Sequence, residues 1–278
     1  MAMKEIITGN FAPFRWVMWP PSSIRVVDWN IDKGLRLQAV IDFLADANAD
    51  ILILQEVDLN ARRTHRLNVA EEIARKLQMD YVFGCEFEEL TQGSDSNPAY
   101  HGQATLSRWP ISNPRLIRFR KQSSFWQPRW YLPRMEPFQE RLGGRIALAA
   151  EIDVAGNEVM TYNLHLESRA DDGLRVSQLT EVLSDAASHD QQCPQIIAGD
   201  FNLDASNRHP AVPLSAAGFR DAVQAARTPT TPPRRLFEAG RQIDWAFVRG
   251  PIQAKRGQVH QAVKASDHYP ISFDLHPA

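Results

Sequence analysis

The sequence predicts an α/β domain built on two packed sheets, and three observations point there. Short apolar, β-branched runs recur along the chain and end in polar residues. Segments with apolar residues at helical spacing stand between several of these runs. No internal repeat and no long polar linker divides the 278 residues, a length that can bury a sizeable core.

The elements follow in order. After Pro20-Pro21-Ser22-Ser23, the run from Ile24 to Asn30 is β-branched and bounded by turn residues, which marks the first strand. Residues 1–23 read as an N-terminal extension and residues 24–278 as a single domain. Leu37, Val40, Ile41 and Leu44 recur at helical spacing, and Ala49-Asp50 leads into a strand, Ile51-Leu52-Ile53-Leu54-Gln55-Glu56. Ala70, Ile73, Ala74 and Leu77 mark a second helix. Tyr81-Val82-Phe83 is a short strand, Thr91 to Asn97 a polar loop, and Gln103 to Ser107 another strand-like run. Ile146–Ile152 and Val159–Leu164 read as strands joined by an Ala155-Gly156-Asn157 hairpin turn. Leu174, Leu179, Val182, Leu183 and Ala186 form the apolar stripe of a third helix. The run Gln195 to Ala198 is apolar enough for a strand covered on both faces, and Gly199 permits a sharp turn or a close backbone approach. A Pro- and Ala-rich region reaches Pro233, and Ile243–Val248 and Ile271–Leu275 close the domain.

Thirty-one basic and 33 acidic residues give a net charge of -2, so nothing global recruits polyanions and any affinity for nucleic acid must be local. Cys85 and Cys193 are too few for a disulfide framework and read as reduced thiols. The N-terminal stretch, with Trp16 and Trp19, lacks the uninterrupted apolar core of a signal peptide, and no run is long enough to span a membrane. A cytoplasmic protein is the expectation.

One segment has no clean period. From Arg115 to Arg145, arginines including Arg118, Arg120, Arg129, Arg134 and Arg141 alternate with Phe119, Phe125, Trp126, Trp130, Tyr131 and Phe138, while Glu136 and Glu140 alone oppose them. Two readings stay open. The mixture suits stacking and phosphate contacts, with Trp126, Trp130 and Arg145 binding substrate. It equally suits a connection that covers a sheet edge.

Most informative is how the strands end. Polar groups follow apolar runs at Asn30 and Asp32, at Glu56, at Asn163 and His165, at Asp200 and Asn202, and flank the closing strands at Asp244 and at Asp267-His268. If the strands lie side by side, these ends converge on one cleft. Carboxylate and amide oxygens of this kind suit a hard divalent cation such as Mg2+ or Mn2+.

Trp29-Asn30-Ile31-Asp32, Leu54-Gln55-Glu56-Val57, Leu106-Ser107-Arg108-Trp109-Pro110-Ile111, Asn163-Leu164-His165-Leu166, Gly199-Asp200-Phe201-Asn202, Ile243-Asp244-Trp245 and Ser266-Asp267-His268-Tyr269-Pro270 together resemble the endonuclease/exonuclease/phosphatase superfamily, in order and rough spacing. The resemblance implies a four-layer α/β/β/α sandwich of two mixed sheets flanked by helices, and Mg2+- or Mn2+-dependent hydrolysis of a phosphate ester. It implies Glu56, Asp32, Asn30 and Asp267 as metal ligands and Asp200 as the group that orients or deprotonates water, with Asn30 and Asn202 holding water and phosphate. His165 and His268 then contact the non-bridging oxygens, and Asp244 pairs with His268. Trp29-Asn30-Ile31-Asp32 and His165-Leu166-Glu167-Ser168, with Arg175 and Gln178, look most similar to the tyrosyl-DNA phosphodiesterases that release 5′-phosphotyrosyl adducts. Gln103 departs from the pattern, which more often has Asn there, and so does the long insertion to Arg145.

The substrate expected is therefore a phosphodiester in DNA, RNA or a nucleic-acid adduct. A small or lipid phosphate ester fits the near-neutral charge, and a non-catalytic scaffold is the reading from another class.

Overall fold

In this computed structural model, residues 5–13, 21–127, 129–133, 140–204, 210–224, 228–233 and 239–278 are described. Trp16, Trp19, Arg134, Glu136 and Phe138, singled out above, lie outside them. In chain order the elements are β1 (Ile6–Gly9), β2 (Ile24–Lys33), α1 (Leu37–Ala47), β3 (Ile51–Leu59), α2 (Val69–Leu77), β4 (Asp80–Ser94), β5 (Asn97–Ser107), β6 (Ile111–Arg118), β7 (Arg141–Gly143), β8 (Ile146–Val154), β9 (Asn157–His165), α3 (Asp172–Ala186), β10 (Gln195–Asp200), α4 (Ala211–Ala216), β11 (Arg220–Asp221), β12 (Asp244–Arg249), β13 (Ile252–Val259) and β14 (Ile271–Pro277).

The strands make two mixed sheets. The first has the order β1-β4-β5-β3-β2-β14-β13 with β7 on β4, and the second the order β11-β12-β10-β9-β8-β6. β2 runs parallel to β3 and β9 parallel to β10, whereas the other pairings are antiparallel.

Alternation along the strands sorts the apolar side chains into layers. Val26, Ile51, Ile53, Ile196, Ala198, Val248 and Phe273 form the core between the sheets. Their neighbours Val27, Leu52 and Leu54 face outward onto Val40 and Leu44 of α1 and Ile73 of α2. On the second sheet Tyr162, Leu164, Ile197 and Phe247 face Leu179 and Val182 of α3 and Leu214 of α4. The result is the α/β/β/α sandwich. Asn68 and Asp171 cap α2 and α3 by accepting from Glu71 and Leu174 backbone N–H groups. Gly199, with φ 142°, lies so close to β9 that a Cβ would collide with the Leu164 carbonyl oxygen. Ala155 and Gly156, at φ 54° and 85°, make the tight turn that sets the register of β8 and β9. Both cysteines are free thiols.

The structure departs from the sequence reading at four places. Thr91 to Ser94, expected in a loop, extends β4, because Glu89 pairs with Ala99 and Ser94 with Asn97 in a solvated hairpin arm that needs no apolar face. The aperiodic segment opens with β6, whose outer strand position buries no continuous stripe. β13 was not anticipated, since its only buried residue is Ile252. Within the stretch taken as an extension, Ile6–Gly9 pairs with Tyr81–Gly84 as the edge strand of the first sheet.

Candidate active site

Two β-bulges build the first half of the site. β2 and β3 pair regularly up to Asn30 and Gln55, then lose register until Lys33 meets Val57. β3 and β5 slip at the same level, between Leu54 and Val57. Asp32, Lys33 and Glu56 take left-handed φ values of 46°, 66° and 50° there, a strained conformation for non-glycine residues. A bulge re-aims side chains at a strand end, and here both carboxylates turn onto one cation, the Lys33 ammonium, 2.8 Å from Asp32 Oδ1 and 2.7 Å from Glu56 Oε2. Burial opposes ionisation of Glu56, yet Lys33, then His101 and His165, outweigh it and hold its carboxyl well below the usual range.

The second sheet supplies the other half. Asp200 at the end of β10 stands in register with His165 on β9 and Asp244 on β12. Asn202, at φ 50°, donates its backbone N–H to Asp200 Oδ1 at 2.9 Å and its amide to Leu166 O at 3.1 Å. Asn30 crosses from the first sheet to donate to Asp200 Oδ2 at 3.3 Å and accepts from the Asp32 backbone N–H at 3.1 Å. His268, on the loop before β14, is fixed by Ser266, whose hydroxyl donates to Asn30 O and accepts from the His268 backbone N–H.

Two imidazoles face the same oxygen. Nε2 of His165 and Nε2 of His268 lie 3.7 and 3.8 Å from Asp200 Oδ2. His268 Nδ1 sits 2.9 Å from both Asp244 oxygens. Burial disfavours charge on His268, but Asp244 overrides it and raises the ring to about 10. Burial, then Asp244, pushes Asp200 up to about 7, against the pull of His268. Burial and then Arg145 keep His165 well below its ordinary value. This is one carboxylate poised near neutrality between two imidazoles, an arrangement able to take a proton from water and to meet charge developing at a phosphate.

Beneath these groups, buried polar side chains tie the sheets together. Gln55 donates to Asp28 and to Asn163, both at 2.9 Å, and Asn163 donates to Leu54 O and Ala104 O at 3.0 Å. Asp28 is fully buried, and burial, then Asp244, holds its carboxyl well above the ordinary range.

The structure thus gathers Asn30, Asp32, Glu56, His165, Asp200, Asn202, Asp244 and His268 at one end of the sandwich. Asp267 is exposed and hydrogen-bonds Ser266 at 3.4 Å. Arg145 is 3% exposed and pairs with Glu86 at 2.9 Å. Trp126 is 5% exposed, with its Nε1–H donated to Glu167 and its ring against Phe87 and Phe125, whereas Trp130 is 95% exposed. Sequence reasoning missed Lys33, Asp28 and Glu86. Lys33 follows the Asn30-Ile31-Asp32 motif directly, and that adjacency was the available signal; nothing local marks Glu86.

The residues fit a divalent cation on one observation. Asp32 and Glu56 already converge on a single positive group, and both supply oxygen donors of the hard type. A second acidic cluster, Asp200, Asp244 and His268, brings three potential ligand atoms within 4.8 Å of one another.

The sequence model of the Endonuclease/Exonuclease/phosphatase family matches residues 29–268. The chain belongs to this family. Its solved relatives share the fold at low identity. An endonuclease/exonuclease/phosphatase from Beutenbergia cavernae DSM 12333 is 19% identical, with 93% of this chain and 72% of that one covered and a TM-score of 0.66. Truncated Caenorhabditis elegans TDP2 is 21% identical over 91% of this chain and 97% of its own, at a TM-score of 0.61. The human Nocturnin catalytic domain, solved with a bound sulfate anion, is 16% identical over 98% and 97%, at 0.67. No curated protein matches. Members of the family are hydrolases acting on phosphoester bonds, and a phosphoester hydrolase fold is what this chain carries. No helix among the described residues is long and apolar enough to cross a membrane.

Proposed function

We propose that the chain is a divalent-metal-dependent phosphodiesterase acting on nucleic acid or a nucleic-acid adduct. The observation that carries the chemistry is the approach of His165 and His268 to one oxygen of Asp200, beside a carboxylate pair set for a cation. Asp32 and Glu56, with Asn30 hydrogen-bonded to the Asp32 backbone and Asp267 contributed by the loop before β14, would hold Mg2+ or Mn2+. When bound, the ion supplies charge neutralisation to the phosphate. Asp200 accepts a proton from the attacking water, which Asn30 and Asn202 hold in line with phosphorus. As the new P–O bond forms and the leaving P–O bond breaks, His268, charged through Asp244, and His165 donate to the non-bridging oxygens.

The nucleic-acid part of the reading is supported by a local patch. Phe125, Trp130 and Tyr131 are 41%, 95% and 65% exposed, and the Arg129 and Arg169 guanidinium groups lie 5.6 and 4.9 Å from the Phe125 ring centroid. Exposed rings beside arginines favour unpaired bases and phosphates. A second reading, hydrolysis of a lipid phosphate at a membrane surface, draws on the same exposed tryptophan.

The deciding experiment is hydrolysis of bis(p-nitrophenyl) phosphate by wild type and Asp200→Asn with Mg2+, Mn2+ or EDTA, followed by DNA, RNA and lipid diesters. Turnover that needs metal and falls by about a thousandfold or more in the variant is expected. Near wild-type turnover by Asp200→Asn sinks the mechanism, and turnover confined to lipid diesters sinks the substrate assignment.

A further inference from the structure

Between Phe125 and Tyr131 the chain turns one aromatic ring inward and leaves three in solvent. Phe125, Trp130 and Tyr131 are three of the five large apolar side chains exposed among the described residues. Trp126 is buried, and its Nε1–H lies 3.1 and 3.0 Å from the two oxygens of Glu167, which has no exposed surface. A buried indole needs one acceptor, and Trp29 and Trp245 meet that need with the backbone carbonyls of His268 and Leu203. Trp126 instead takes a carboxylate already engaged from another side, since Glu167 Oε1 accepts the Arg169 backbone N–H at 2.8 Å.

One buried side chain thus holds two segments that are far apart in sequence, and their outward groups meet: the Arg169 guanidinium lies 4.9 Å from the Phe125 ring centroid. Gln178 on α3 repeats the tie, accepting the Glu167 backbone N–H at 3.0 Å and donating to Lys121 O at 3.2 Å. Ser123 Oγ donates to Arg169 O at 3.4 Å, and Arg175 Nε to Glu167 O at 2.6 Å. We propose that Glu167 is a positioning residue that locks the aromatic segment onto the strand end bearing His165, so that Phe125 and Arg169 form a stacking subsite for the nucleobase next to the scissile phosphate. This rests on the nucleic-acid reading above.

Chain length sets the placement. Arg169 follows His165 by four residues, within about 14 Å even if fully extended, and the fold of the Glu167 carboxylate back onto the Arg169 N–H shortens the span to one that a nucleotide bridges. An exposed ring beside a planar cation offers a face to any base and no hydrogen-bond pattern to tell bases apart. The subsite therefore selects nucleoside esters over simple diesters without choosing among bases. The catalytic end has ties of its own, because Leu166 donates its N–H to Asp200 O at 2.9 Å and accepts from Asn202 at 3.1 Å. Releasing the Glu167 side chain should loosen the subsite before it disturbs His165.

The alternative is that Glu167 and Trp126 only pack the segment against the domain. Wild type, Phe125→Ala, Glu167→Gln, Trp126→Phe and the double variant of the first two are assayed with Mn2+ on two kinds of ester. Thymidine 5′- and 3′-(p-nitrophenyl phosphate) carry a base, whereas methyl p-nitrophenyl phosphate has the same leaving group and none. Wild type is expected to prefer a nucleoside ester in kcat/KM, and each single variant to lower that preference about five- to a hundredfold, mainly through KM, the range for one lost base stack. In the Phe125→Ala background Glu167→Gln should cost nothing further. Equal losses on both kinds of ester, or an unchanged preference in Phe125→Ala or Glu167→Gln, would overturn the proposal alone, as would a wild type without preference that still cuts DNA or RNA. Failure to hydrolyse DNA, RNA and nucleoside esters alike would overturn the nucleic-acid reading beneath it. Should Glu167→Gln fail to fold, Trp126→Phe keeps an aromatic ring in place, removes the N–H and carries the same test.

Discussion

Replacing Asp244 by asparagine should move both limbs of the pH profile. In the proposed mechanism Asp200 works ionised, and burial with Asp244 sets it at about 7, so activity is expected to rise as pH increases through that value. His268 works charged and is held at about 10, so activity falls as pH passes it. Shifting an imidazole from 6.5 to about 10 represents about 5 kcal/mol in favour of the charged ring, the net of burial, which opposes the charge, and of Asp244, then Asp200 and Asp267, which favour it. Asparagine keeps the shape but loses the charge. His268 then falls well below about 10, because burial is opposed only by Asp200 and Asp267, and the alkaline limb moves down with it, so that at pH 8.5 the variant loses activity by about tenfold or more. Asp200 moves the other way in effect, because without Asp244 it ionises at lower pH. At pH 6 the variant should therefore approach the wild-type rate. The assay is kcat/KM for bis(p-nitrophenyl) phosphate from pH 5 to 10 at saturating Mn2+. A uniform drop at every pH would refute the electrostatic reasoning and leave Asp244 as a geometric support only.

Four further variants have outcomes set by the same geometry. Asp200→Asn removes a carboxylate whose ionisation burial opposes, so its Tm at pH 8 should equal or exceed that of wild type; a fall of more than about 5 °C would show that the carboxylate holds the fold. Glu56→Gln should raise the metal concentration for half-activity at least about tenfold, whereas Lys33→Met should tighten Mn2+ binding about fivefold, since a partly exposed ion pair of this kind is worth about 1 kcal/mol; electron paramagnetic resonance titration without substrate tests both, and unchanged affinity in either counts against the assignment. Trp130→Ala should weaken binding of single-stranded oligonucleotide by about 1–3 kcal/mol per lost base stack and leave bis(p-nitrophenyl) phosphate turnover intact; unaltered oligonucleotide affinity would remove Trp130 from the substrate face.

Where a residue's task is written into its own strand, the sequence was readable. The apolar, β-branched runs from Ile24 and from Ile51 gave two strands, and the abrupt polar ends at Asn30, Glu56 and Asp200 gave the cleft. Gly199 was legible as either a sharp turn or a close approach, and the Leu164 carbonyl oxygen beside it makes it the close approach. What stayed hidden depends on register. The bulges at Asp32 and Glu56 exist only between strands, so the sequence showed Lys33 next to Asp32 but not its second carboxylate partner, Glu56. Glu86 lies in an unremarkable run, Gly84-Cys85-Glu86-Phe87, and acquires meaning from Gln103 and Arg145, which are near it only in space. Trp126 and Trp130 look alike in sequence, yet Glu167 and Phe87 draw one inward and leave the other in solvent.

His268 precedes β14, and β14 lies inside the first sheet, between β2 and β13. The order of synthesis therefore matters. Asp200, Asp244 and the bulged strands emerge from a ribosome before the segment that completes them, and until that segment inserts beside β2 the sheet has an open edge where its middle belongs. A nascent chain lacking it is exposed to aggregation and, on the mechanism proposed above, lacks the His268 donor, so the candidate site is completed together with the last step of closure.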